Sequence, residues 1–243
     1  MPEGPSIVIL KEALAKFKGK KIIEAGGNTK VVLPELEGLK VIDFKSWGKQ
    51  FLICFKGFAI RVHFLLFGTY RIDERKDAKP RLFLRFANGE INFYTSSIQL
   101  IEGDLDEIYD WTADVMNPLW SAAKARKKLK AAPDMLVCDA LMNQQVFSGV
   151  GNIIKNEVLF RIKVHPLSTI GALPAAKLNA LVKEAVVYSF EFLEWKKKFE
   201  LKKHWLAYNQ KTCPRDHVPF KRKDLGKGRR RTFYCESCQV NYS

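Results

Sequence analysis

The sequence predicts an α+β, multidomain protein: an N-terminal helix leading into a β-sandwich, a helical domain, and a small C-terminal finger. Three observations carry this. Apolar residues shift from helical to alternating spacing near Leu39 and back to helical spacing beyond Pro118. Metal-ligand residue types cluster only near the C-terminus. The 243 residues, 47% of them hydrophobic, suffice for two modest cores and argue against disorder. The expected domains are 1–117, 118–203 and 204–243.

Taken in order, residues 5–18 read as a helix: Ile7, Leu10, Leu14 and Phe17 repeat at helical spacing, Pro5 suits the first turn and Gly19 the stop. From Leu39 to about Gly103 come short strands, with turns at Gly48-Lys49 and Lys56-Gly57. RLFLRFANGEINFYT reads as a hairpin turning on Asn88-Gly89. DLDEIYDWTADVMNPLW reads as a linker. Four helical stretches follow, SAAKARKKLKAA, DMLVCDALMNQQ, NIIKNEVLFRI and PAAKLNALVKEAVVYSFEFLEWKKK, with FSGVGN between the second and third. The last forty or so residues are too few for a core of their own and need a staple.

Charge points to the partner. The net charge of +15, from 41 basic and 26 acidic residues, favours a polyanion such as nucleic acid. No apolar run is long enough to span a bilayer, and MPEGPS lacks the basic start and apolar core of a signal peptide. A membrane partner is therefore not expected. The expected location is cytoplasm or nucleoid, or the nucleus of a eukaryotic cell. Cys54 and Cys138, each alone in apolar surroundings, read as small buried hydrophobes.

Cys213-x3-His217 and, seventeen residues further on, Cys235-x2-Cys238 supply two close pairs of zinc ligands. With all four positions filled by protein, one structural zinc is expected, with no open position for a catalytic water. The intervening KRKDLGKGRRRT would form a basic hairpin touching phosphates, or merely a solvated charge run. FSGVGN, with Gly149 and Gly151, lets a backbone approach closely, and the helix beginning at Asn152 can turn free N–H groups to a phosphate. An ordinary interhelical turn fits as well. Glu157 reads as a capping or packing residue.

Together, the MPEGP start, the SGVGN turn and the GRRRTFYCESCQ finger resemble the formamidopyrimidine-DNA glycosylase/endonuclease VIII (Fpg/Nei) family, in order and over nearly the whole chain. The Cys-His-Cys-Cys finger and the PEGPS start look most similar to the second Nei-like branch. The resemblance implies a bifunctional DNA glycosylase and AP lyase of base excision repair, on a helix–two-turn–helix scaffold. Removal of Met1 would expose the secondary amine of Pro2, a nucleophile whose iminium drives β,δ-elimination. Glu3 would be the acid/base partner. Lys49 and Arg230 would hold phosphates, with Arg229 and Arg231 as near alternatives to Arg230. Gly151 and Asn152 would contact the DNA backbone, and Leu66, in HFLLFG, would be an apolar wedge filling the gap left by an extruded base.

Two departures bear on the substrate. Where relatives preferring 8-oxoguanine carry an Asp-Pro-Arg-Arg-Phe loop, this chain has Ser96, Ser97, Ile98, Gln99 and Leu100, and Ser6 stands where many relatives have glutamate. The resemblance therefore implies oxidised pyrimidines and abasic sites, in loosely paired, bubble or single-stranded DNA, acted on by a monomer without redox or nucleotide cofactor. Two other readings are a non-catalytic zinc-finger DNA-binding protein on the same scaffold, and a zinc-ribbon RNA binder using Phe220, Phe233 and Tyr234.

Overall fold

The structure, a computed structural model, describes residues 2–243 and divides into two compact units, one ending at Tyr109 and one running from Asp110 to Ser243. The sequence places the first boundary at 117; the chain changes unit earlier, within the stretch read as a linker. That stretch is not featureless. It holds α2 (Leu105–Ile108), capped by Asp104 accepting from the Asp106 N–H, and a 3-10 turn at Trp111–Ala113 capped by Asp110.

The first unit opens with α1 (Gly4–Ala13), Pro5 in its first turn, and continues as a 3-10 turn at Ala15–Phe17 before Gly19 takes a φ of 77°. Ile7, Leu10, Leu14 and Phe17 are all buried, as their spacing requires. Two antiparallel four-stranded sheets follow. One is ordered β2 (Asp43–Trp47), β3 (Gln50–Cys54), β4 (Phe58–His63), β8 (Ser97–Glu102). The other is ordered β1 (Glu24–Gly26), β6 (Leu82–Phe86), β7 (Gly89–Tyr94), β5 (Thr69–Ile72). Both sheets and α1 share one core, which includes Phe51, Ile60, Val62, Leu84, Ile91 and Phe93.

Two hairpins turn where the sequence puts them: Trp47 pairs with Gln50 across Gly48-Lys49, and Phe55 N–H bonds the Phe58 carbonyl across Lys56-Gly57. The third is shifted by one residue. Phe86 pairs with Gly89, so the two loop residues are Ala87 and Asn88, and Gly89 begins β7. The position is reserved for glycine. Gly89 has a φ of 138°, and a Cβ there would lie 2.0 Å from Asp73 Oδ1.

In the second unit, α3 (Ala122–Lys130), α4 (Val137–Met142), α5 (Asn152–Arg161) and α6 (Ala175–Lys197) occupy the four helical stretches read from sequence. Their core includes Leu141, Phe147, Val158, Leu181 and Tyr188. The finger is a hairpin of β9 (Lys221–Leu225) and β10 (Arg230–Tyr234), with a small core of Phe160, Ala207, Cys213, Phe220 and Cys235. Since Phe160 comes from α5, helices and finger form one unit, where the sequence draws a boundary at 203/204. Among the described residues, no helix is long and apolar enough to cross a membrane.

Candidate nucleic-acid interface and metal centre

In the first unit, three turns meet at one end of the sandwich. Gln50 pairs with His63 and His63 with Ser97, while Thr69 pairs with Tyr94; the β2–β3, β4–β5 and β7–β8 connections are thus neighbours. Lys49 is half-buried in the first of them, beside Gly48, whose φ of 55° is what a two-residue turn of the primed kind needs at its first loop position. Below it, Gln50 Oε1 accepts from Tyr109 Oη at 2.8 Å and Arg61 Nη1 at 3.3 Å, and Tyr109 packs on Trp47 with ring centroids 5.3 Å apart. Burial, then the charges of Lys49 and Arg61, hold His63 below the usual imidazole value. Its Nδ1 accepts the Leu65 N–H at 3.2 Å, so a neutral His63 carries its proton on Nε2.

Pro2 is half-buried, and Glu3, fully buried and in extended backbone, is the N-cap position of α1, which packs on β2 and β3. Leu66 sits half-exposed in the β4–β5 turn, between Leu65 and Phe67. Ser96 is buried, and Ser97–Glu102 runs as a regular strand of the sheet, so the residues that stand in place of the Asp-Pro-Arg-Arg-Phe loop form no protruding loop.

In the second unit, α5 organises the finger. Gly151 is its N-cap. Asn152 Nδ2 donates to the Arg231 carbonyl at 2.9 Å, Asn156 Oδ1 accepts from Phe233 N at 2.7 Å, and buried Lys155 Nζ donates to Thr232 Oγ1 at 2.7 Å. Thr232 Oγ1 in turn donates to the Arg230 carbonyl at 2.8 Å. Asn152, read from sequence as a phosphate contact, thus gives one amide N–H bond to the backbone of β10. Glu157 accepts three backbone N–H groups, from Leu206, Ala207 and Tyr208. The three finger arginines are exposed but not equivalent. Arg231 is paired with Asp224 across the hairpin, Nε to Oδ1 at 2.6 Å and Nη2 to Oδ2 at 3.2 Å. Among the described residues, the side chains of Arg229 and Arg230 have no such partner, so these two are the unpaired members of the three.

At the base of the finger, one donor atom from each of Cys213, Asp216, Cys235 and Cys238 lies within 4.8 Å of the others. Of the four ligands read from sequence, the three cysteines come together here. His217 is outside the group: it is exposed, at a φ of 57°, and its N–H closes a turn onto the Cys213 carbonyl. The Asp216 carboxylate lies beside the sulfurs, 3.4 Å from Cys213 Sγ and 3.2 Å from Cys235 Sγ. The group fits a tetrahedral ion. Cys213 and Cys238 sulfurs are 3.9 Å apart, and zinc–sulfur bonds of about 2.3 Å put two sulfurs about 3.8 Å apart. Burial pushes the Cys238 thiol up to about 12 and raises Cys213 too, so a cation is what would draw off their protons.

The arrangement legible only in the structure is the polar face of α5. Lys155 and Asn156 carry no sequence signal of burial, because polar residues on a helix read as a solvated face, whereas Glu157, read as a capping or packing residue, is buried and caps backbone amides.

Comparison with known proteins accords with this geometry. Residues 113–194 match the formamidopyrimidine-DNA glycosylase H2TH domain. Mouse endonuclease 8-like 3 is 31% identical over a region covering 80% of this chain and 34% of that protein; the chain thus spans about a third of the length of the 8-like 3 relatives it matches. Bovine endonuclease 8-like 2 is 26% identical, with 100% of this chain and 97% of that protein covered. In fold, the chain is similar to Lactococcus lactis formamidopyrimidine-DNA glycosylase bound to DNA containing an AP site, with a TM-score of 0.84 at 20% identity over 98% of this chain and 99% of that one. A viral DNA glycosylase gives a TM-score of 0.82 at 20% identity, over 98% and 100%. The chain belongs to the Fpg/Nei family of DNA glycosylases, on its Nei-like side.

Proposed function

We propose that this chain is a bifunctional DNA glycosylase and AP lyase that removes oxidised pyrimidines and processes abasic sites. The observation that carries the reading is the pairing of a half-buried Pro2 with a fully buried Glu3 at the head of α1. A binding scaffold needs neither an amine nor a carboxyl group taken out of water beside it.

With Met1 removed, the Pro2 nitrogen attacks C1′ of the damaged nucleotide, and the base leaves with its bonding electrons and a proton. Glu3 handles protons at the sugar ring as it opens. The resulting iminium draws electrons from C2′ as a proton is lost there, the 3′ phosphate leaves, and a second elimination releases the 5′ phosphate. Lys49 at the β2–β3 turn and Arg230 on the finger hold phosphates. The N-terminus of α5, after Gly151, offers backbone N–H groups to the same strand. Zinc would be held by the three sulfurs and a fourth donor from the Asp216–His217 corner; its chemistry there is to keep thiolates together and brace the finger. Lesions in bubbles or single strands suit a site whose β7–β8 connection has no arginine to read an opposing base.

The test is borohydride trapping. Protein with a verified Pro2 N-terminus, mixed with DNA carrying an abasic site, forms a stable covalent adduct on reduction, and Pro2→Gly with equal DNA binding loses most of it. No adduct with the unaltered protein would overturn the catalytic reading and leave a DNA-binding protein on the same scaffold.

A further inference from the structure

The tip of the finger, residues 226–229, joins β9 to β10 and consists of Gly226, Lys227, Gly228 and Arg229, with Arg230 directly after it. Its backbone closes through the Arg229 N–H on the Gly226 carbonyl at 3.1 Å, with Gly226 at a φ of 75° and Arg229 at 43°. Such a turn carries no apolar side chain to anchor it, and its cations repel one another. Yet a guanidinium contributes fully to phosphate binding only if its stem is already aimed. The stem of Arg230 runs beside Gly228, where a Cβ would lie 3.6 Å from Arg230 Cγ and 3.9 Å from its Nε. Whatever holds residues 226–228 therefore also holds the start of the Arg230 side chain.

The hold comes from outside the finger. Asp139, half-buried in the first turn of α4, accepts the Lys227 N–H on its carboxylate, at 2.9 Å on Oδ1 and 3.2 Å on Oδ2. A bond to an ionised acceptor is stronger than a neutral one. The fit is close: a Cβ at Gly226 would fall 2.2 Å from Asp139 Oδ1, so only glycine lets the backbone come this near. The bonds from Asn152, Lys155 and Asn156 grip β10 at residues 231–233, below the tip. Those set the strand; Asp139 sets the turn. Its charge has the wrong sign for a group beside a DNA phosphate. The hydrogen bond it makes, rather than attraction to the ligand, accounts for its place there.

We infer that Asp139 is a positioning residue for phosphate binding: through the Lys227 amide it ties the finger tip to α4 and so aims Arg230 at the DNA backbone. This rests on the reading of Arg230 as a phosphate ligand in a DNA-processing enzyme. Bulk charge and bracing predict opposite signs. Taking a carboxylate from a protein of net charge +15 should tighten its hold on DNA, whereas taking away the brace should loosen it.

The experiment is equilibrium binding of the full chain to a duplex carrying an uncleavable abasic-site analogue, across a salt series, with single and paired substitutions. Arg230→Ala is expected to weaken binding by about tenfold and to make log K against log salt shallower by about one. Asp139→Ala is expected to weaken it by about fivefold, the size of one hydrogen bond, and to flatten the slope in the same direction. Added to Arg230→Ala it should cost nothing further, because no guanidinium is left to aim. Asp139→Asn keeps an acceptor oxygen for the Lys227 N–H and should bind at least as tightly as the unaltered protein. Gly226→Ala crowds the carboxylate without changing any charge and should weaken binding as Asp139→Ala does. Binding by Asp139→Ala that is unchanged or tighter would overturn the inference. So would a full loss when Arg230 is already alanine, normal binding by Gly226→Ala, or an asparagine variant as weak as the alanine one. More cysteines open to titration in Asp139→Ala would make the residue a support of finger folding and would overturn it as well. If Arg230→Ala binds normally, the reading of Arg230 falls and Asp139 with it. If Arg230→Ala binds weakly and Asp139→Ala does not, only the role of Asp139 falls.

Discussion

Glu157 offers the sharpest test of how the finger is held. It is fully buried on α5, and its two oxygens accept three backbone N–H groups: Leu206 at 2.9 Å on Oε2, and Ala207 at 2.9 Å and Tyr208 at 2.7 Å on Oε1. Glu157→Ala removes every acceptor at once. Each stranded buried donor costs about 1–3 kcal/mol, and water can reach the exposed Leu206 more readily than the buried Ala207, so the loss should total about 3–5 kcal/mol. Glu157→Gln can keep the two bonds on one oxygen but sets an NH2 group against Leu206 N–H, for a loss of about 1–3 kcal/mol. A pH signature separates the carboxylate from mere packing. Burial raises the Glu157 carboxyl above its ordinary value, against the pull of the three N–H bonds and Arg161. The folded state therefore holds this proton more tightly than the unfolded chain. Its contribution is full below the ordinary glutamate value and is lost as pH rises through the raised folded value. Urea unfolding across that range should show the decline in the unaltered protein, and Glu157→Gln should lack this component. An alanine variant within about 1 kcal/mol of the original, or an unchanged pH slope in the glutamine variant, would refute the account.

Three further outcomes are expected. Gly68→Ala drives a Cβ into the Phe64 carbonyl and should cost about 1–3 kcal/mol by thermal denaturation, with DNA binding weakened by displacement of the β4–β5 turn. Metal removal by a chelator should open residues 211–239 to protease while the helical core stays folded; cysteine titration should rise by the three sulfurs of Cys213, Cys235 and Cys238. Because burial, Lys49 and Arg61 hold His63 below the ordinary imidazole value, the unfolded chain takes up this proton first as pH falls. Stability should then drop from about pH 6.5 downward until the folded value is passed, and His63→Gln should flatten that part of the curve.

Much of the fold is legible in the sequence because its signals are periodic. The four buried apolar positions of α1 and the 3-10 turn after it, the turn glycines at 48 and 57, and the four helical stretches of the second unit all express spacing that the backbone must obey. The hairpin at 86–89 turns one residue earlier than the Asn-Gly signal places it, and Gly89, the first residue of β7, packs against Asp73, sixteen residues away in sequence. The candidate site was legible in part. The three clustered cysteines announce a metal centre, but which neighbouring side chain completes the group depends on the left-handed backbone at His217, and no spacing rule encodes that. Arg230 could be told from Arg231 only by the cross-strand register that brings Asp224 opposite Arg231. In the clamp on α5, Lys155 and Asn156 were hidden because their partners, the Thr232 hydroxyl and the Phe233 N–H, lie 77 residues away, and which amides Glu157 caps could not be read because they lie about fifty residues away.

That clamp bears on how this chain can be divided. One face of α5 belongs to the helical core and the other to the finger, so the helix has no outer side. A fragment ending before the finger would open to water a lysine, two asparagines and a glutamate arranged to meet strand and linker amides, together with the ring of Phe160. An isolated finger would lose the wall of its own small core. The finger is therefore not a portable module, for transplantation or for deletion. Cuts that respect the physics fall near Tyr109, and exchanges between relatives should carry α5 and β10 as one cassette.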